Sequence, residues 1–380
     1  MRDINFEKLV GLRKELHQYP ELSGYEIETS KRIIQFLKLN NPTKIIDSIG
    51  GSGLAAIYDF GESGKTITIR CELDALPIQE INQFSHRSTT NGVSHKCGHD
   101  GHMAILSGVS SWLKNQKFQK GKVVLLFQPA EENGEGAYKV LNNQRFIELK
   151  IDYFFSLHNL PKEPMHSIVM NDAGFSAEVQ SFSILLNGKE SHAAEPENGI
   201  NPAMAMAKII NELSATEIAD TSRNDFTIMT PVHFLMGQKS YGISPALAEL
   251  HYTLRTWTNA KMIELQQKIE DVVAAVSKDY DLEYKINWFE YFPATVNYPE
   301  TNEYVYEAIK QNDFQLVNKS NPMKFGEDFG WYSKTYKTTM FGLGAGLDTS
   351  ALHNADYDFP DEIIETGVKM FTSIISGILK

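Results

Sequence analysis

Val123-Val124-Leu125-Leu126-Phe127-Gln128-Pro129-Ala130-Glu131-Glu132 runs five apolar residues without a break into a proline and two adjacent carboxylates. An apolar run of that length, without polar alternation, reads as a strand buried on both faces, the pattern of a parallel sheet covered by helices. Three more segments share it, at 66–70, 152–157 and 339–343. Helical stretches separate the earlier ones, as at 102–113, and two amphipathic helices open the chain. The first carries Phe6, Leu9, Val10, Leu12, Arg13, Leu16 and His17 at helical spacing; the second spans 26–39 with Ile27, Ile33, Ile34 and Leu37. The expected fold class is α/β, a mostly parallel sheet flanked by helices.

Between about 174 and 289 the pattern changes. Strand-like segments at 179–186, 225–235 and 247–257 combine with helical ones at 202–213 and 260–278. This reads as a β-α-β-β-α-β unit, a small ferredoxin-like α+β domain. Sheet-type strands resume at 339, so 174–289 is read as an insertion that splits a larger domain into 1–173 and 290–380.

The chain has 380 residues, 42% of them apolar and 22% charged, enough for two domains with a sizeable core. A net charge of −12 argues against nucleic acid or an anionic membrane surface as partner and favours a small-molecule substrate. No basic segment leading into an apolar one opens at Met1 to Asn5, and no run of about 18 apolar residues occurs. The two cysteines, Cys71 and Cys97, do not make a disulfide framework. The expected location is cytoplasmic, and Cys71 is expected to be buried and structural.

In open α/β sheets ligands gather beyond the carboxyl ends of the strands. Asp74 follows the first buried strand, Glu131 and Glu132 follow the second, His158 ends the third, and His353 lies ten residues past the fourth. Cys97 and His99, two apart in a Gly-containing loop, can reach one ion, and a metal-held thiol is deprotonated. Of the adjacent pair Glu131 and Glu132, one can ligate while the other stays free to move a proton. His102 is read as packing at a helix start or supporting a ligand. Cys97 as a nucleophile, with His99 or His353 as base, is the competing reading; nothing around it resembles a nucleophile elbow.

These residues fall in motifs that run in order along nearly the whole chain. They are Leu16-His17-Gln18-Tyr19-Pro20-Glu21-Leu22, Leu73-Asp74-Ala75-Leu76-Pro77, Cys97-Gly98-His99-Asp100-Gly101-His102, Gln128-Pro129-Ala130-Glu131-Glu132, Ser191-His192-Ala193-Ala194, Gly326-Glu327-Asp328-Phe329 and Leu352-His353-Asn354. The sequence resembles the dinuclear metallopeptidase and amidohydrolase family of hippurate hydrolase, aminoacylase, carboxypeptidase G and the auxin-conjugate hydrolases, in its cysteine-ligand branch. The resemblance implies a zinc-peptidase-like catalytic domain with an inserted lid and dimerisation domain. It implies two divalent ions (Zn, Mn, Co or Ni) bridged by Cys97, with His99 and His158 completing one site and Glu132 and His353 the other. Glu131 would be the general base, and Asp74 or Asp100 would hold a ligand imidazole in its tautomer. His192 matches the lid histidine that stabilises a developing oxyanion from a neighbouring subunit, which implies a homodimer. Arg255 matches the lid arginine that recognises substrate carboxylates.

The chain departs from the family in one place: Gly242 stands where relatives carry an Asn thirteen residues before the arginine. The expected function is metal-dependent hydrolysis of the amide bond of N-acyl amino acids or similar small amides. A carboxypeptidase or dipeptidase of the same fold is the nearest alternative, and a non-catalytic metal-binding protein is the alternative of another class. Retention of Glu131 argues against the last, because a purely structural site needs no free base.

Overall fold

The computed structural model describes residues 4–61 and 63–380. Met1 to Asp3, the start of the segment in which no leader is expected, lie outside the described residues. The chain forms two compact units: Met1–Phe175, Thr295–Pro322 and Glu327–Lys380 make the first, and Ser176–Ala294 with Met323–Gly326 make the second.

An eight-stranded sheet organises the first unit. Its spatial order is Lys44–Ile49, Gly53–Asp59, Lys122–Gln128, Thr66–Glu72, Tyr153–Leu160, Lys337–Gly344, Ile168–Met170 and Leu316–Asn318. The four central strands are mutually parallel, and they are the four continuous apolar runs of the sequence. Their side chains are buried on both faces; Thr66–Glu72 and Tyr153–Leu160 expose no residue at all. The α/β expectation therefore holds, with an antiparallel hairpin added at one edge and an antiparallel pairing of Ile168–Met170 with Lys337–Gly344 near the other.

Helices Phe6–Gln18, Ile27–Lys38, His99–Leu113 and Ile363–Ile378 supply the rest of the core, through Leu9, Leu16, Ile33, Ile105, Val109, Val368 and Phe371. The Asn5 side chain caps the first helix by accepting from the Lys8 amide. His99–Leu113 begins after Gly98, whose φ of 92° lies in the left-handed region. A Cβ there would come within 2.4 Å of Asn159 Oδ1, so only glycine fits.

In the second unit the strands Glu283–Phe292, Glu178–Asn187, Leu247–Thr256 and Thr227–Met236 form an antiparallel sheet in that order. Leu247–Thr256 alternates strictly between buried and less buried residues, as a strand covered on one face does. Phe182, Leu250 and Leu254 pack on Leu213, Ile269 and Val273 of helices Ala203–Ser214 and Asn259–Asp279. The chain order is β-α-β-β-α-β, and the last strand runs past residue 289 to Phe292.

Candidate metal centre

The carboxyl edge of the central strands collects the polar residues. Cys97, His99 and His158 place ligand atoms within 4.8 Å of one another, as do Cys97, Glu132 and His353. Cys97 is common to both groups. Its Sγ lies 3.3 Å from His158 Nε2, and Glu132 spans the two groups, 3.8 Å from His99 Nε2 and 3.7 Å from His353 Nε2. Five residues thus converge, although 256 positions separate Cys97 from His353.

The imidazoles are held so that their outer nitrogens face inward. His99 Nδ1 donates to the Asp74 carbonyl at 2.9 Å, and His158 Nδ1 donates to the Asn159 carbonyl at 2.8 Å. In the neutral imidazole this leaves each Nε2 with its lone pair toward the cluster, the usual arrangement of a ligating histidine. His99 Nε2 and Glu132 Oε1 are buried without a hydrogen-bond partner. Orphaned buried polar atoms of this kind are rare unless an ion or water serves them.

Asp74 holds the site from beneath. Its Oδ2 accepts from the Ser23 hydroxyl at 2.7 Å and the Glu132 amide at 2.9 Å, while its Oδ1 stands 3.4 Å from His99 Nδ1. The closer contact to His99 comes from the Asp74 backbone. Asp100, the alternative partner for a ligand imidazole, faces elsewhere: it bonds His17 Nδ1 at 2.8 Å and Arg13 at 3.5 Å. Both nitrogens of His102 are taken, Nδ1 by Glu72 and Nε2 by Asn159, each at 2.7 Å.

Glu131 follows Ala130, whose φ of 53° is unusual for a residue with a Cβ. Two bonds pin that turn: the Glu26 carboxylate accepts from the Ala130 amide at 2.8 Å, and the Ala130 carbonyl accepts from the Gly136 amide at 2.9 Å. Gly136 lies so close that a Cβ would meet the Pro129 carbonyl at 1.7 Å. Glu131 Oε1 accepts from the Asp328 amide at 3.3 Å and Oε2 lies 4.0 Å from His99 Nε2. Behind it, the fully buried Arg70 guanidinium contacts Glu72, Glu327 at 2.9 Å and Asp328 at 2.6 Å. Sequence reasoning missed this hub; Arg70 sits inside a buried strand, and its partners lie up to 258 positions away.

Negative charge is in excess here. Burial, then the Glu327 and Glu132 charges, push Glu131 well above the usual carboxylate range. Burial lifts Glu132 to about 7 against the opposing pull of His99, and burial with nearby carboxylates drives the Cys97 thiol up. For His99, burial lowers the pKa, but the Asp74 bond and the Glu72 and Glu132 charges outweigh it and raise it to about 10. Divalent charge at this point would relieve the carboxylates and deprotonate the thiol, so the residues fit a metal.

In the second unit, the Ser191–His192 strand pairs with Ile243–Ser244, and the Ala193 amide donates to the Gly242 carbonyl at 3.0 Å. The His192 imidazole is exposed, with Nδ1 accepting from the Ala194 amide. Arg255 donates to the Lys324 carbonyl at 2.7 Å. Among the described residues no carboxylate pairs with it, and burial lowers its pKa.

Thiol, imidazole and carboxylate ligands on a parallel sheet, with a spare carboxylate alongside, suit metal-assisted hydrolysis. Residues 68–377 match the peptidase family M20/M25/M40. The chain is 29% identical over 375 residues to the N-acetylcysteine deacetylase of Bacillus subtilis, covering 98% of this chain and 97% of that one. It is 28% identical over 377 residues to the hippurate hydrolase of Campylobacter jejuni, covering 99% and 97%. Its structure is similar to that of a dinuclear metal binding peptidase of the M20 family from Bacillus subtilis, with TM-score 0.85, 27% identity and 98% of both chains covered. The chain belongs to the M20/M25/M40 peptidase family and is a metal-dependent amidohydrolase.

Proposed function

We propose that the protein hydrolyses the amide bond of an N-acyl amino acid or similar small amide, with Glu131 as general base. Two divalent ions would be held by Cys97, His99 and His158 on one side and by Cys97, Glu132 and His353 on the other. The observation that carries this reading is the division of labour in the carboxylate pair. Glu132 reaches both histidines, whereas Glu131 is anchored by the Asp328 amide and faces the same space from the side. When bound, the ions supply Lewis acidity toward the amide carbonyl and lower the pKa of water, and Zn, Mn, Co and Ni all suit this ligand set.

Glu131 takes the proton from water and returns it to the leaving nitrogen, a base that becomes an acid within one cycle. Its raised proton affinity in a buried carboxylate cluster suits that second duty. Asp74 keeps His99 and Glu132 in register through its backbone and side chain. Arg255, without a carboxylate partner of its own, would bind the substrate carboxylate, and His192 would stabilise the developing oxyanion. The relatives named for acyl amino acids support this substrate class. We place the protein in the cytoplasm as a homodimer through the second unit. Support comes from two free thiols and from the exposed Val232, Leu235 and Met236 on the edge strand Thr227–Met236.

The test is Glu131→Ala, assayed for amine release from N-acetyl, N-benzoyl and indole-acetyl amino acids and dipeptides. Turnover is expected to fall by about 10²- to 10⁴-fold while two ions per chain remain. Loss of an ion would move Glu131 into the ligand set, and release from dipeptides alone would favour the peptidase reading.

A further inference from the structure

Lys96 is completely buried, immediately before Cys97. Nothing in the chemistry above uses it. A lysine ammonium taken fully out of water is rare without paired partners. Its Nζ donates to Glu80 at 2.5 Å and to the Tyr357 carbonyl at 2.7 Å, and its own carbonyl accepts from the His353 amide at 2.8 Å. One residue therefore grips both ends of the segment 353–357, His353 through its backbone and Tyr357 through its side chain.

That grip matters because His353 has little else to place it. Its side chain is 52% exposed, its φ is 65°, and its Nε2 lies 3.7 Å from Glu132. Cys97, His99 and His158 are buried, and the Glu132 side chain is only 10% exposed. Ile81 and Asn82 also hold this segment, but only at 355–357. Glu80 is fixed in turn by His17 at 3.0 Å and the Ser88 amide at 2.6 Å, so the clamp is tied to the body of the unit.

We infer that Lys96 is a positioning residue that staples the His353 loop to the Cys97 loop, and so sets the affinity of the Cys97, Glu132 and His353 site without setting that of the Cys97, His99 and His158 site. The inference rests on the two-ion reading above. The experiment is calorimetric titration of the chelator-stripped protein with zinc, together with ion counting by mass spectrometry, on wild type and Lys96→Met. Wild type is expected to bind two ions. The variant is expected to hold the first within about threefold of wild type and the second at least tenfold more weakly.

Lys96→Met leaves the Glu80 carboxylate without its ammonium, so Lys96→Met with Glu80→Gln is measured alongside, with circular dichroism as the check on folding. The same selective loss in either folded variant supports the staple. Two ions at wild-type affinity, equal weakening of both ions, or failure of both variants to fold would each overturn it, the last by making Lys96 a support of the whole unit. A wild type that binds fewer than two ions removes the two-ion reading and the staple with it, whereas an effect confined to the variants speaks to the staple alone.

Discussion

Raising the pH from 6.5 to 9 is expected to destabilise the first unit by about 3 kcal/mol through a single side chain, His17. Burial alone would lower the pKa of this imidazole. The bonds to Asp100 at 2.8 Å and Glu80 at 3.0 Å, and the charges behind them, outweigh it and raise the pKa from 6.5 to about 9. The sign follows from where the proton sits. Below 6.5 both folded and unfolded chains carry it, and its stabilising effect is fully present. Between 6.5 and 9 only the folded chain carries it, so stability falls by at most about 1.4 kcal/mol per pH unit. Above 9 the contribution is gone. The other groups packed around it do not change charge in this window. Arg13 stays cationic, Glu80 is held near 2 and Asp100 is lowered as well, and His95 and His86 are lowered by burial, His95 to about 3. Urea denaturation of wild type and His17→Gln at pH 6.5, 7.5, 8.5 and 9.5 reads the effect. The stability difference should shrink steadily with pH, and a difference that stays constant would refute the reasoning.

Two further outcomes follow from the same geometry. Arg70→Met leaves Glu72, Glu327 and Asp328 buried without their shared cation, and should lower stability by about 3–5 kcal/mol, read as a fall in denaturation midpoint. Gly242→Asn should be tolerated within about 0.5 kcal/mol, because a Cβ at Gly242 meets nothing within 4 Å. It should also lower KM for N-acyl amino acids, if the amide side chain that the family resemblance places there contacts substrate; an unchanged KM would separate Gly242 from substrate binding.

The parts of the fold legible in the sequence are those whose signal is local. Residues 123–127 declare a doubly buried strand by composition alone, and the carboxylates and imidazoles directly after such runs point to the sheet edge. The hairpin Lys44–Ile49 and Gly53–Asp59 is hard to see in the sequence, because Lys44, Asp47 and Ser48 face solvent and interrupt the apolar signal. The turn residues Gly50 and Gly51, both at positive φ, carried the available clue. Helix Ile363–Ile378 is legible too, with Ile364, Val368, Phe371 and Ile375 at helical spacing, although it is not among the elements expected above. Glu80 and Lys96 look like ordinary loop charges, and Arg13 and His17 share the spacing of the first helix's apolar residues without showing a partner. Only partners 16 to 348 positions away take them out of water, and no window of sequence contains those pairs.

The central strand Lys337–Gly344 lies between Tyr153–Leu160 and Ile168–Met170, two strands made before it. During synthesis, Tyr153–Leu160 leaves the ribosome about 180 residues ahead of the neighbour that completes it, an interval of roughly 10–35 s at ordinary elongation rates. Throughout that wait a strand with no exposed residue in the finished molecule presents an open edge of unpaired backbone groups. The insertion of the second unit lengthens the delay. The nascent chain is therefore most exposed to aggregation, and most in need of chaperone cover, while the second unit is being translated.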